Sequence, residues 1–249
     1  MNYAFYLVFP FLLISSQMGP SPQFSLEEGL VAYYSFNRCD ARDDSGGGSE
    51  GILYGNVGCW CGIEDDGLLF DGNQSFVTFT GAVNRYFTTS DFTLSFYFKP
   101  NQYTIFPQSM LSKRVECDEE HMLDIQLDQN LNQVDTDFHE TPAKDFPELS
   151  PELSAAGWQH FVLVRRDFSA YTYINGELVR RSRRCSGVDI SNEALLSFAN
   201  SPCVDRGGAR RFKGVLDELR VYDRPLSEAE VKALYQHFPI EKAEQDCFS

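Results

Sequence analysis

Basic residues are scarce in this 249-residue chain: 21 Lys and Arg stand against 36 Asp and Glu, a formal net charge of −15. That balance repels phosphate backbones and anionic lipid, and argues against nucleic acid or electrostatic membrane docking as partners. No segment beyond the N-terminus approaches the length of an apolar membrane span, and no internal repeat is present. Histidine is also sparse, at His121, His139, His160 and His237, and Gly-x-Ser-x-Gly is missing, so a nucleophile triad lacks its parts. The spacing in Cys59-Trp60-Cys61 is C-x-C rather than C-x₂-C and no second pair follows, which argues against zinc.

What is there begins with an apolar run from Ala4 to Ile14, of the length of a signal-peptide core, although no Lys or Arg precedes it. Residues 1–19 are therefore expected to be a signal peptide, with cleavage between Ser16 and Gly19 and a secreted, extracellular product that carries no membrane span. Seven cysteines fit an oxidising compartment. Locality predicts Cys185 paired with Cys203, Cys39 closing onto Cys59 or Cys61, the other of those two taking Cys117, and Cys247 left over.

The body of the chain reads mostly as strands. Leu30–Phe36, Gly51–Tyr54, Leu68–Phe70, Phe76–Phe79 and Met122–Leu127 have strand character, and Phe92, Leu94, Phe96 and Phe98 alternate onto one face. Asn175-Gly176 predicts a two-residue hairpin turn between Tyr171–Ile174 and the strand from Glu177. Residues from Asp128 to Leu153 are acidic and proline-bearing, and read as a long solvated loop. One helix is signalled, over about Glu228 to Gln236, by a capping box of Ser227 and Glu230. Many short strands and one short C-terminal helix predict an all-β fold, a two-sheet antiparallel jelly-roll sandwich over residues 24–238, with 239–249 as a tail.

Three stretches resemble a known family in its own order: G-L-V-A-Y-Y-S-F with L-L-F-D-G at Gly29–Phe36 and Leu68–Gly72, W-Q-H-F-V-L-V-R-R-D…Y-I-N-G-E-L-V from Trp158, and F-K-G-V-L-D-E-L-R-V-Y-D-R-P-L-S-E-A-E-V-K-A-L-Y from Phe212. They are similar to laminin-G-like jelly-roll domains of the concanavalin A-like lectin/glucanase kind. The resemblance implies an extracellular module that binds a glycan or a cell-surface or matrix protein, and it leaves activity open. It also implies a structural Ca²⁺, with Asp217 giving a side-chain oxygen and the Asp71-Gly72 turn a carbonyl; an acidic chain is compatible with such a hard cation. His160, in the Trp-x-His strand, is implied to be structural.

Hydrolases on this sandwich typically carry Glu-x-Asp-x-x-Glu or a close variant on one strand. Met122-Leu123-Asp124-Ile125-Gln126-Leu127 departs from it, because neither glutamate is there. The expectation is a non-enzymatic, carbohydrate-binding module, with a protein-interaction domain and then a glycan-cleaving enzyme as alternatives. Arg180-Arg181-Ser182-Arg183-Arg184 is either a patch for acidic glycans or a set of internal partners for the surplus carboxylates. Asn73-Gln74-Ser75 fits a glycosylation sequon.

Overall fold

The computed structural model describes residue 1 and residues 25–243, apart from 102–103, 129, 154–156, 168 and 183–186. The expected signal peptide, Arg183, Arg184, Cys185 and Cys247 therefore lie outside the described residues. The strands begin with β1 (Leu30–Tyr34), β2 (Gly51–Tyr54), β3 (Gly58–Cys61), β4 (Asp66–Asp71), β5 (Phe76–Phe79) and β6 (Phe92–Pro100). They continue with β7 (Gln108–Lys113), β8 (Met122–Asp128), β9 (Gln133–Thr141), β10 (Lys144–Leu149) and β11 (Gln159–Arg166). The last are β12 (Ser169–Ile174), β13 (Glu177–Ser182), β14 (Leu196–Phe198), β15 (Arg210–Arg211) and β16 (Lys213–Tyr222). Two α-helices are present among the described residues, α1 (Pro202–Asp205) and α2 (Glu228–His237).

The strands form two sheets of eight. Sheet A runs β13-β12-β11-β6-β16-β4-β3, with β1 beside β16; sheet B runs β10-β9-β8-β7-β14-β5-β2, with β15 beside β7. All pairings are antiparallel except that of the two-residue β15. Because strand side chains alternate, each sheet turns one apolar face inward. Phe92, Leu94, Phe96 and Phe98 from β6 meet Leu123, Ile125 and Leu127 from β8 in one buried core. This is the jelly-roll sandwich expected from the sequence.

The hairpin at Asn175-Gly176 has positive φ at both residues, 51° and 79°, as a tight two-residue turn requires. Helix α2 begins with the expected capping box: Ser227 accepts from the Glu230 amide while the Glu230 carboxylate accepts from the Ser227 amide. The long stretch after Asp128 differs from expectation, since it folds into the hairpin of β9 and β10. Val134, Phe138 and Phe146 supply its inward face, and the acids between them face outward. Pro147 is tolerated because β10 is an edge strand of sheet B.

The disulfides also differ. Cys203 pairs with Cys117, 86 residues away, rather than with Cys185, and Cys39 pairs with Cys59, so Cys117 is not joined to the Cys39 region. Cys39–Cys59 is one of the two local pairings expected; for Cys203 sequence proximity was the wrong guide, because the β7–β8 loop and α1 are brought together by the fold of sheet B. Cys61 is also disulfide-bonded.

Candidate functional site

The two sheets differ in what covers their outer faces. On sheet A, Val162, Val164, Tyr173 and Tyr222 are buried under Val231 and Leu234 of α2. Further along, Tyr97, Trp158 and Val215 pack against Phe238. Sheet A is thus closed by the C-terminal segment, and no such element covers sheet B among the described residues.

The outer face of sheet B is polar apart from Ile52, Tyr54 and Phe76 at its β2–β5 edge, and its register aligns one residue from each of seven strands. Ile52, Thr78, Ser197, Ser112, Asp124, Asp137 and Pro147 form a continuous cross-strand row. Six inter-strand spacings make that row about 29 Å long. Thr78 and Ser197 share a 3.3 Å hydrogen bond. Arg114 Nη1 and Gln126 Nε2 both donate to Asp124 Oδ2, at 2.9 and 2.8 Å. A groove of about 560 Å³ lies over the β5–β14–β7 half, lined by Thr78, Ser112, Arg114, Leu195 and Ser197 with the α1 loop. A second of about 570 Å³ lies over β9–β10, lined by Asp135, Asp137, Pro147, Glu148, Leu149 and Arg180. Both volumes are in the range of ligand sites.

Burial, then the neighbouring carboxylates, raise Asp137 to about 7 and Asp135 to about 6. Asp124 is raised by burial against the opposing pull of Arg114. At neutral pH the row therefore offers hydroxyls and the carboxyl of Asp137, near its midpoint of titration, which suit a polyhydroxylated ligand. Ser109 Oγ and His139 Nδ1 are among the buried polar atoms on this face that have no hydrogen-bond partner among the described residues. Asp135 and Asp137 were concealed in the stretch read as a loop. The alternation of Val134, Thr136 and Phe138 with acids was the signal that could have found them.

The residues implied for calcium do not converge. Lys213, not Asp217, is the partner of Asp71 across β16 and β4, and Asp217 lies four residues further along, about 13 Å away. Asp217 is fully buried; its Oδ2 accepts from the Ile63 and Glu64 amides at 2.7 and 3.5 Å, and its Oδ1 accepts from the Glu218 amide at 2.9 Å. Burial and the adjacent Glu218 raise its pKa well above the usual range. Asp71 Oδ1 accepts from the amides of Asn73, Gln74 and Ser75 and from the Ser75 hydroxyl, which hold its carboxyl down at about 2 despite partial burial. Gly72 opens onto a cavity lined by Arg210, Arg211 and Lys213. Calcium wants six to eight converging oxygens, and this set, aimed at by amide donors and flanked by cations, does not fit it.

The remaining residues singled out in the sequence are placed as follows. His160 is fully buried, bonds Ser95 through Nε2 at 2.8 Å and stacks on Tyr97 with centroids 4.2 Å apart. Burial first, and Arg220 second, lower its pKa to about 3, so it serves the interior. Arg181 lies over Tyr171 at 5.3 Å. Arg180 Nε donates to Leu149 O at 3.1 Å. Asn73 is exposed in the β4–β5 turn.

No curated protein matches the chain by sequence. Its fold is similar to the binding domain of Paraclostridial Mosquitocidal Protein 1, at 17% identity and a TM-score of 0.70, over 86% of this chain and 53% of that one. It is also similar to domain 4 of AbnA, an extracellular arabinanase from Geobacillus stearothermophilus solved with arabinotriose, at 19% identity and a TM-score of 0.61, over 83% and 98%. A third is the binding domain of Botulinum neurotoxin DC with SialylT, at 13% identity and a TM-score of 0.65, over 86% and 52%. The chain thus spans about half of the toxin binding domains it resembles. A family model covers residues 71–232, most of both sheets, and the chain belongs to the family it describes, the Concanavalin A-like lectin/glucanases superfamily.

Proposed function

We propose that this protein is an extracellular, non-enzymatic carbohydrate-binding module whose ligand lies across the outer face of sheet B. The observation that carries this reading is the row across seven strands, polar from Thr78 to Asp137, on the sheet that no helix covers among the described residues, with a groove over each half. An elongated polyhydroxylated chain matches a row about 29 Å long better than a compact ligand does. Support comes from the arabinotriose and SialylT complexes of similarly folded domains. Disulfides fit an oxidising compartment. Among the described residues no helix is long and apolar enough to cross a membrane. Calcium has no part in the reading.

The test is a glycan array probed with the oxidised chain, in calcium and in chelator. A defined glycan class should be retained equally in both buffers, and Thr78→Arg, which fills the groove over β5–β14–β7, should weaken it at least tenfold. Binding untouched by Thr78→Arg places the ligand elsewhere. Silence on the array, with a partner protein retained, replaces this reading with an adhesion module.

Glycan cleavage is a second reading, favoured by one observation. Asp124 and Asp137 are direct cross-strand neighbours, which puts their Cβ atoms about 5 Å apart, near the carboxyl spacing of retaining glycosidases. Against it, Asp124 is 2% exposed and held by Arg114 and Gln126, a poor posture for a nucleophile. Release of reducing ends that disappears in Asp137→Asn would establish cleavage, and its absence across the bound glycans would dismiss it.

A further inference from the structure

Three cations face one small cavity in a chain whose net charge is −15. The cavity, of about 160 Å³, is lined by Gly72, Thr104, Gln108, Arg210, Arg211 and Lys213, and no carboxylate is among them. It sits where the chain crosses between sheets, from β15 beside β7 to β16 beside β4. That crossing places Arg210, Arg211 and Lys213 within four residues. Phe212 between them is buried in the core and anchors the segment.

The guanidiniums are held rather than free to sweep. Arg210 lies over Phe106 at 4.5 Å, and Arg211 lies over Phe76 at 4.8 Å. Arg211 is further fixed by donating to Asn73 O at 3.0 Å and to the Asn200 side chain. Its side chain is only 14% exposed, and its nearest carboxylate, Asp205, is 3.9 Å away and itself largely in solvent. Burial lowers the Arg211 pKa from its ordinary value, so a nearby anion would favour the charged form. Arg210 and Lys213 have no ion-pair partner among the described residues. Asp71, the other acid close by, spends its carboxylate on its own turn. Two held guanidiniums and an ammonium around a space whose lining carries no carboxylate are an anion site in chemical terms, with Asp71 and Asp205 outside the lining offsetting part of their charge.

We propose that the Arg210–Arg211–Lys213 cavity binds the oxyanion group, sulfate ester or carboxylate, of an acidic glycan. Its volume is below that of a drug-sized site, which starts near about 300 Å³, so it takes a charged substituent and not a whole sugar ring. The rest of the ligand has a path onto sheet B. The Phe76 ring beneath Arg211 stacks on Tyr54 with centroids 4.5 Å apart and planes 8° apart, and these two face outward beside Thr78 and Ile52 of the cross-strand row. An apolar ring pair next to a fixed guanidinium suits a sugar ring whose charged group points into the cavity. The glycan part of this proposal rests on the reading of sheet B; the anion site does not.

Calorimetric titration of the oxidised full chain with sodium sulfate, at constant ionic strength, tests the site first. Saturable one-site binding is expected, weakened at least tenfold in Arg210→Ala/Lys213→Ala and unchanged in Arg181→Ala. Arg210 is exposed and Lys213 half-buried; circular dichroism checks that the double variant is folded, and Lys213→Glu alone should reproduce the loss. Equal sulfate binding by wild type and the folded variants overturns the site. A sulfated oligosaccharide should bind at least tenfold tighter than its desulfated form, with the preference lost in the double variant, and a uronic-acid oligosaccharide tells carboxylate from sulfate. Glycan binding that ignores acidic groups overturns this proposal and leaves the sheet B reading standing. Sulfate binding without any glycan binding overturns the sheet B reading and leaves the anion site standing.

Discussion

Asp137 shows how one position ties the face to stability. Its folded pKa of about 7 lies above the ordinary aspartate value of 3.8 because burial and the charges of Asp135 and Asp124 penalise ionisation. The folded state therefore keeps a proton that the unfolded chain releases between about pH 4 and pH 7, and stability from this residue falls as pH rises through that window. Asp137→Asn keeps the shape and removes the titration. The variant should match wild type near pH 3.5, below the unfolded pKa, and exceed it at pH 7.5, by on the order of 1–4 kcal/mol. Melting temperatures at the two pH values measure the difference, and a gap that does not change with pH would contradict the assignment. Lys113 is a contrasting case on the inner face of the same sheet. Burial lowers it to about 8, and its ammonium is satisfied by Asn192 O at 2.7 Å and Ala194 O at 3.0 Å, so it pins a loop instead of serving a ligand.

Helix α2 does its work as an element, by covering sheet A. Ser227 caps it, and Val231 and Leu234 bury its inner side. Ser227→Ala should cost about 1 kcal/mol, or about 2–4 °C in Tm for a domain of this size. Leu234→Ala, at a fully buried site, should cost about 2–5 kcal/mol. Glycan affinity of either variant, measured while it is folded, should stay at the wild-type value because α2 lies on the opposite sheet; a loss of binding would move the site to sheet A. The β9–β10 hairpin is the element the sequence concealed. Its acids, Pro147 and low apolar content are loop-like in composition, yet Val134, Phe138 and Phe146 suffice to seat its inner face. Composition averages over both faces of a strand, whereas packing acts on one.

At the scale of the whole molecule, the Cys117–Cys203 disulfide ties two walls of the β5–β14–β7 groove together. The β7–β8 loop bearing Val115 and Glu116 is joined to the α1 segment bearing Asp205 and Arg206, and an Arg206–Glu116 ion pair spans the same gap. The pair is more than half exposed on both sides and adds little by itself. Replacing both cysteines by serine should cost about 2–5 kcal/mol and weaken glycan binding, while removing the ion pair by Glu116→Gln should change stability by less than about 1 kcal/mol. Denaturant titration separates the two, and a cysteine-free groove of unchanged stability and affinity would show the link to be incidental.

The sequence by itself determined the local features: the strands of β6, β11 and β12, the Asn175-Gly176 turn, the Ser227–Glu230 cap and hence the sandwich class. Each is written in residues close together along the chain, where alternation, φ preference and capping act over two to four positions. Only the tertiary structure decided which cysteines meet, which sheet stays open and which seven residues align across it. Asp124 met Asp137 through pairing of neighbouring strands rather than through a motif on one strand, and Asp71 met Lys213 through the register of β4 against β16. Those juxtapositions depend on strand order and long-range register, and no spacing along the chain encodes them locally.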